Sequence, residues 1–425
     1  MNQQKNAIII SLNDDVSEIK QLANTLNYNI IKEFVQKRKI PDVNYYIGSG
    51  KLDEIKDFVD KFALKVDLLI VNGELKPSQW FALEKELSVD VNDRIRLILA
   101  IFEEHAERKE AKLQVKLAKL QYERPYVREL IHRARAGEHP GLMAGGEYQV
   151  DDYYEMIKKQ MKKIRQNLKK IRDVRQVHRK TRYKSGFYLV SLAGYTNAGK
   201  SSLLNLFSGE KVRVEGRLFS TLSTTTRRIP INTRGSTIPI LLTDTVGFIE
   251  NLPAWIIDAF HSTLEEIEVA DVVILVVDGS EKKELVEKKL KVSLDELIDL
   301  EVNSPIIIAI NKIDLIDDNK TSDLINYLNK KGFLNAKSYV PISISKEINI
   351  GRLLGIIYDS LPNMIEIIFR LPNNKQSQSF VFDLYKRTRI IDVKFEKNIN
   401  IKISCNPKIR NKIIAQCQKL EGTIL

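Results

Sequence analysis

The chain has 425 residues, 43% of them hydrophobic and 29% charged, with a formal charge of +12 and only two cysteines, Cys405 and Cys417. That length supports two or three separate cores, and two cysteines far from any histidine cluster support neither a disulfide framework nor a zinc site. No apolar run is long enough to cross a bilayer and the first residues lack the form of a signal peptide, so the expectation is a cytoplasmic multidomain protein.

Residues 1–92 read as a small α/β unit. Strand patterns cover 7–11, 66–71 and 89–92, and helical patterns cover 16–26 and 78–87, the latter introduced by Pro77. Gly48, Gly50 and Lys51 match no phosphate-loop spacing and read as a turn opening a helix over 51–62.

Residues 93–184 read as an antiparallel helical hairpin. Ile157, Met161, Ile164, Leu168 and Ile171 alternate at spacings of four and three, with Val174 three further on, a coiled-coil seam. Ile95, Leu99, Phe102, Ala106, Leu113, Leu117 and Leu120 form a less regular seam that can supply the partner helix. Two helices of about 28 residues reach roughly 40 Å. Residues 136–150, rich in Gly and carrying Pro140, form the tip between them. Over 158–184 there are thirteen Lys plus Arg against one acidic residue, Asp173. That balance of +12 equals the charge of the whole chain, so the rest is neutral overall. A face with so few acidic partners at i,i+4 repels itself until an anion covers it, and RNA backbone is the expected cover.

Residues 187–362 carry the chemistry. An apolar run over 187–193 feeds Gly194, Tyr195, Thr196, Asn197, Ala198, Gly199, Lys200, Ser201 and Ser202, and a helical pattern follows. This is G-x-x-x-x-G-K-[ST], in which backbone N–H groups wrap a polyphosphate and the helix N-terminus adds its dipole. Lys200 is expected on the terminal phosphates and Ser201 on Mg²⁺. A strand over 238–242 runs into Asp244, Thr245, Val246 and Gly247. There Asp244 would hold the metal through water and the Gly247 N–H would meet the γ-phosphate. Further strands over 272–277 and 305–310 follow, the second ending in Asn311, Lys312, Ile313 and Asp314. A carboxylate at Asp314 accepts from both N1–H and the 2-amino group of guanine, and left unpaired and buried it penalises adenine. The cofactor set is therefore GTP or GDP with Mg²⁺.

Phe219, Ser220, Thr221, Leu222 and Ser223 lie in a Thr-rich stretch placed to complete the metal shell, with Thr221 the first choice of ligand and Thr225 the second. Phe248 stands where Ras-like GTPases place a water-orienting glutamine. A phenyl ring cannot hydrogen-bond water into line, so intrinsic turnover is expected to be slow, with Lys200, Thr221 and Gly247 as the catalytic groups within the chain. Beyond residue 362 a small α/β module is expected, with strands over 379–385, 390–395 and 399–404 and a helix over 407–420.

The strings GYTNAGKS at 194–201, LFSTL at 218–222 ahead of TTTRR, DTVGFI at 244–249, LPAWIIDAFHSTLEE at 252–266 and NKID at 311–314 together resemble the HflX family of ribosome-associated GTPases. Tyr45-Tyr-Ile-Gly-Ser-Gly-Lys-Leu-Asp-Glu-Ile55 is similar to that family's N-terminal signature, so the resemblance spans most of the chain. Where the family reads LDPTTR this chain has LSTTTR from Leu222, and where it reads GPGETQLETDRR this chain has AGGEYQVDDYY from Ala144. The resemblance implies that Ser343, Ile344 and Ser345 contact the guanine oxygen. It also implies docking of the hairpin and its 136–150 tip on the rRNA of the large ribosomal subunit, and a second nucleotide near Gly48. The fold expected is an α/β P-loop GTPase domain, preceded by a small α/β domain with a long antiparallel helical hairpin and followed by a small C-terminal α/β domain. The protein is expected to be monomeric when free, without a membrane span, and associated with ribosomes or a membrane surface. A GTP-switched module that recruits a protein through its coiled coil is the competing reading, and salt dependence separates the two.

Overall fold

The computed structural model describes residues 4–61, 66–135, 147–183, 187–209, 224–233, 236–249, 253, 255–256, 264–333 and 336–425. They fall into two compact units. The first is built from Met1–Lys169 and takes in Trp255 and Ile256, and the second begins at Lys170 and holds the remainder of the chain.

In the first unit, four short strands, β1 (Asn6–Ser11), β2 (Asn29–Val35), β3 (Leu68–Val71) and β4 (Asp90–Asp93), form a parallel sheet in the order β2-β1-β3-β4. Strands β1 and β3 are near-continuous aliphatic runs because helices cover both faces of a parallel sheet. Helices α1 (Ser17–Thr25), α2 (Ser49–Lys61), α3 (Pro77–Leu87) and α4 (Arg94–His105) follow the strands. The Asp93 carboxylate caps α4 by accepting from Arg96 N at 2.9 Å. The Gly48 turn opens α2, with Gly48 N donating to Gln36 Oε1 and Lys51 Nζ paired to Glu54 one turn on.

The hairpin differs from expectation in its first helix. Ile95, Leu99, Phe102 and Ala106 do not pair with the basic helix: α4 ends at His105, and Ile95, Leu99 and Phe102 on it are buried. A separate helix, α5 (Lys109–Arg135), pairs instead with α6 (Glu147–Tyr183). Their shared core is Leu117, Leu120, Val127 and Ile131 from α5 with Ile157, Met161 and Ile164 from α6. Apolar spacing that runs straight through 106–108 conceals the break in the sequence. The seam fades toward the end of α6, where Val174 is exposed.

The second unit holds a six-stranded sheet, β5 (Tyr188–Gly194), β6 (Thr225–Thr233), β7 (Ser236–Asp244), β8 (Val272–Asp278), β9 (Ile306–Asn311) and β10 (Ala336–Pro341), in the order β10-β9-β8-β5-β7-β6. Only the β6–β7 pairing is antiparallel. Helices α7 (Lys200–Ser208), α8 (Lys283–Asp299), α9 (Asp318–Lys331) and α10 (Ile350–Ser360) complete the α/β units.

The C-terminal module contains β11 (Ile365–Pro372), α11 (Lys375–Arg387), β12 (Arg389–Phe395), β13 (Asn398–Cys405), α12 (Arg410–Lys419) and β14 (Thr423–Ile424). Its sheet is antiparallel in the order β12-β13-β11-β14, which is the βαββαβ arrangement of ferredoxin-like folds. The strand expected over 379–385 is helix. Ser377, Phe380, Val381 and Leu384 are buried at helical spacing, and Asn374 caps the helix by accepting from Ser377 N at 2.8 Å. Phenylalanines and a valine in sequence suggest a strand, but the burial period of 3.6 overrides that preference. The alternating IEIIFRLP of β11 is a strand beyond those expected from the sequence. Against the GTPase sheet, Lys408 pairs with Asp271, and Tyr188 Oη donates to Pro362 O at 3.2 Å.

Candidate nucleotide-binding site

Every residue of β5 is buried, and the strand ends at Gly194 with φ +134°. A Cβ there would stand 2.2 Å from Val276 O on β8, so only glycine lets the chain turn off the sheet at this point. The loop then passes Asn197 at φ +62° and Gly199 at φ +107°, where a Cβ would stand 2.4 Å from Asn311 Nδ2. Helix α7 opens at Lys200, and its first N–H groups have no helical carbonyl ahead of them.

Lys200 is buried, and its Nζ donates to the carbonyl oxygens of Gly194 at 3.0 Å and Tyr195 at 2.8 Å. Burial pushes its pKa down to about 8, against the pull of the Asp244 carboxylate. Ser201 Oγ donates to Asp244 Oδ2 at 2.7 Å, and Asp244, the last residue of β7, is 1% exposed. A hydroxyl beside a buried carboxylate at the end of a phosphate loop is an oxygen donor set that fits Mg²⁺.

Beyond Asp244 the chain crosses the loop. Thr245 Oγ1 donates to Leu192 O, Phe248 N donates to Gly194 O at 3.0 Å, and Thr196 N donates to Phe248 O at 2.9 Å. A Cβ on Gly247 would stand 2.8 Å from Lys200 Nζ and 2.9 Å from Thr196 Cα, so this glycine holds the backbone against the lysine. The Phe248 ring is buried, with no polar atom to offer a water.

The other end of the loop meets β9. Asn311 Nδ2 donates to Ala198 O at 2.9 Å, while Asn311 Oδ1 accepts from Ile344 N at 3.2 Å. One amide thus ties the phosphate loop to the segment after β10. Lys312 takes φ +66° and Ile313–Leu315 form a single 3-10 turn, presenting Asp314 beside Ser343 and Ser345. Ser345 Oγ donates to Asp314 Oδ2 at 3.0 Å, and the Ser343 and Ser345 hydroxyls lie 3.1 Å apart. The hydroxyls of Ser343 and Ser345 hold the Asp314 carboxyl below its ordinary pKa. Asp314 itself is exposed.

Thus Gly194 to Ser202, Asp244 to Gly247, Asn311 to Asp314 and Ser343 to Ser345 surround one loop, whereas Phe219, Ser220, Thr221, Leu222 and Ser223 lie outside the described residues. Thr225, the second choice of metal ligand, opens β6 and pairs in register with Asp244. Two contacts have no signal in the sequence. Lys312 Nζ sits 2.5 Å from Asp278 Oδ2, and Lys289 Nζ lies 4.9 Å from the centre of the Tyr195 ring. Neither Asp278 nor Lys289 belongs to a short motif, and each reaches the site only through strand and helix pairing.

Three family models match in order: "GTP-binding GTPase N-terminal" over residues 13–103, "GTP-binding GTPase Middle Region" over 105–182 and "50S ribosome-binding GTPase" over 189–312. Among relatives, GTPase HflX of Thermococcus kodakarensis is 41% identical over 361 residues, covering 84% of this chain and 78% of that protein. GTPase HflX of Methanocaldococcus jannaschii is also 41% identical, covering 83% and 87%. A solved structure, the crystal structure of the SsGBP and GDP complex, is 30% identical with a TM-score of 0.50 and covers 84% of this chain and 98% of its own. With its three segments matched in order and two fifths of its residues shared over most of its length, the chain belongs to the GTPase HflX family.

Proposed function

We propose that this chain is a magnesium-dependent GTPase acting at the large ribosomal subunit, in which the nucleotide state governs how a cationic hairpin engages rRNA. GTP binding and hydrolysis carry over with family membership and rest on the phosphate loop, the buried Asp244 and the Asn311 to Asp314 corner. In the proposed reaction the loop N–H groups and Lys200 hold the phosphates, Gly247 N–H meets the γ-phosphate, and water attacks in line. Ser201 and Thr221 would hold the metal directly and Asp244 through water, and the ion would offset charge on the phosphate oxygens. Asn311 fixes the loop to the base corner, Asp314 reads the guanine edge, and Ser343, Ile344 and Ser345 flank its oxygen.

The observation that supports rRNA over a protein partner is the distribution of surface on the hairpin. Its apolar seam is consumed between α5 and α6 as far as Leu168, while Lys159, Lys162, Lys163, Arg165, Lys169 and Lys170 are exposed. A partner helix would need the seam, whereas a phosphate backbone needs the cations. The test is GTP turnover with and without purified large subunits across a salt series, repeated with the charges of 158–184 reversed. Stimulation that fades with salt and vanishes in the reversed chain is expected; turnover indifferent to large subunits would refute the proposal.

A further inference from the structure

The phosphate loop leaves β5 at Gly194, which has no side chain, so Tyr195 is its first residue with a ring or chain that the domain can grip. That ring is buried. The Tyr195 backbone lies at the centre of the loop's contacts: it pairs in parallel with Phe248, whose N and O bond to Gly194 and Thr196 on either side of it. Tyr195 O also accepts from Lys200 Nζ at 2.8 Å. A phosphate that draws the ammonium toward itself takes away that tie, and a hold on the ring is unaffected by the exchange.

Lys289 of α8 supplies such a hold, with its Nζ 4.9 Å from the centre of the Tyr195 ring. A cation over an aromatic face is attracted by the ring quadrupole, the more so where water is excluded. Lys289 is itself fixed from two directions. Its helical neighbours Val286 and Leu290 are fully buried where α8 packs on β8 and β5, and its Nζ donates to Glu281 Oε1 at 2.6 Å. Glu281 Oε2 is buried with no hydrogen-bond partner among the described residues, so this carboxylate is committed to the lysine. The same β8–α8 connection carries Asp278, which accepts from Ser280 N at 3.0 Å and holds Lys312 of the base corner at 2.5 Å. Asp278 and Glu281 therefore brace opposite parts of one site, the base corner through Lys312 and the start of the phosphate loop through Lys289. Asn311 ties the loop farther on, at Ala198.

We propose that Lys289 is a positioning residue for the nucleotide's phosphates: its ammonium, paired to Glu281, holds the Tyr195 ring and with it the start of the phosphate loop. This rests on the reading of residues 194–202 as the phosphate-binding loop. The experiment is a double-mutant cycle on GDP and GTP affinity in the full-length protein, with Glu281→Gln as the common background so that no carboxylate is left without its cation. Lys289→Met keeps an unbranched apolar chain, removes the charge, and should weaken GDP and GTP alike by about fivefold. In Tyr195→Leu the same change should cost less than about twofold. Because the loop holds the phosphates before and during reaction, KM for GTP should rise in Lys289→Met while kcat stays within about twofold of the background. Lys289→Arg, which stacks on an aromatic face and pairs with a carboxylate, should keep affinity within about twofold of the unsubstituted chain when Glu281 is retained. Unchanged affinity in Lys289→Met, an equal loss with and without the Tyr195 ring, no rescue by arginine, or a fall in kcat at constant KM would each overturn the proposal. GDP affinity of the unsubstituted chain tests the loop itself, so the two readings fail separately.

Discussion

Lys200 shows how a single side chain is prepared for its ligand. A buried ammonium that donates to two carbonyls is held in its charged form at a cost, and its pKa falls to about 8. Because the unfolded chain keeps its proton to the ordinary lysine value, the unfolded state binds more protons between about pH 8 and pH 10.5, and this group makes the empty protein more stable as pH rises through that window. Polyphosphate favours the ammonium and reverses the shift. Calorimetry of GDP binding in buffers of differing ionisation heat should therefore reveal proton uptake that grows from about pH 7 to about pH 9, and the growth should be absent in Lys200→Arg. Lys200→Ala should abolish tight nucleotide binding, and unchanged GTP affinity in that variant would contradict the loop assignment. At the base corner, Asp314→Asn replaces an acceptor for the guanine 2-amino group by a donor that suits the 2-oxo group of xanthine, so preference should move from GTP toward XTP, as competition binding can measure.

Among the elements, the hairpin divides its work between an inner seam and an outer charge. Ile157 and Met161 are buried against α5, so Ile157→Ala should destabilise the hairpin by about 2–4 kcal/mol, visible as a lower denaturation midpoint, without changing nucleotide affinity. Reversing exposed lysines such as Lys162 and Lys163 should leave that midpoint nearly unmoved and flatten the salt dependence of RNA binding, by about one unit of log–log slope for each phosphate no longer neutralised. The heptad spacing of α6 is legible in the sequence because Ile157, Met161, Ile164, Leu168 and Ile171 recur on one stripe. The partner helix is not: apolar spacing runs from Ile95 to Leu120 through the break after His105, and only packing against α1 and β4 separates α4 from α5. The same kind of competition makes residues 375–387 the helix α11 in place of an expected strand, since its apolar residues satisfy both a β preference and a helical burial period.

For the molecule as a whole, the C-terminal module is joined to the GTPase sheet by a buried ion pair. Asp271 accepts from Leu189 N at 2.8 Å and from Lys408, at the end of the sheet opposite the phosphate loop. Lys408→Met would remove the cation from that carboxylate and should cost about 3 kcal/mol, seen in calorimetry as an earlier transition for the module with GDP affinity retained. The chemistry can be read from the chain before any folding is considered: glycines required by backbone geometry, a lysine, a hydroxyl and carboxylates name a guanine nucleotide, because the constraints within each motif act over a few residues. The cationic stretch is equally legible, since charge needs no fold to be counted. Three-dimensional packing alone settles which helix covers the basic one, that Asn311 binds Ala198, that Lys312 meets Asp278 and that Trp255 rests on Tyr122. Those partners lie more than thirty residues apart, and sequence periodicity records which way a side chain faces but not what it faces.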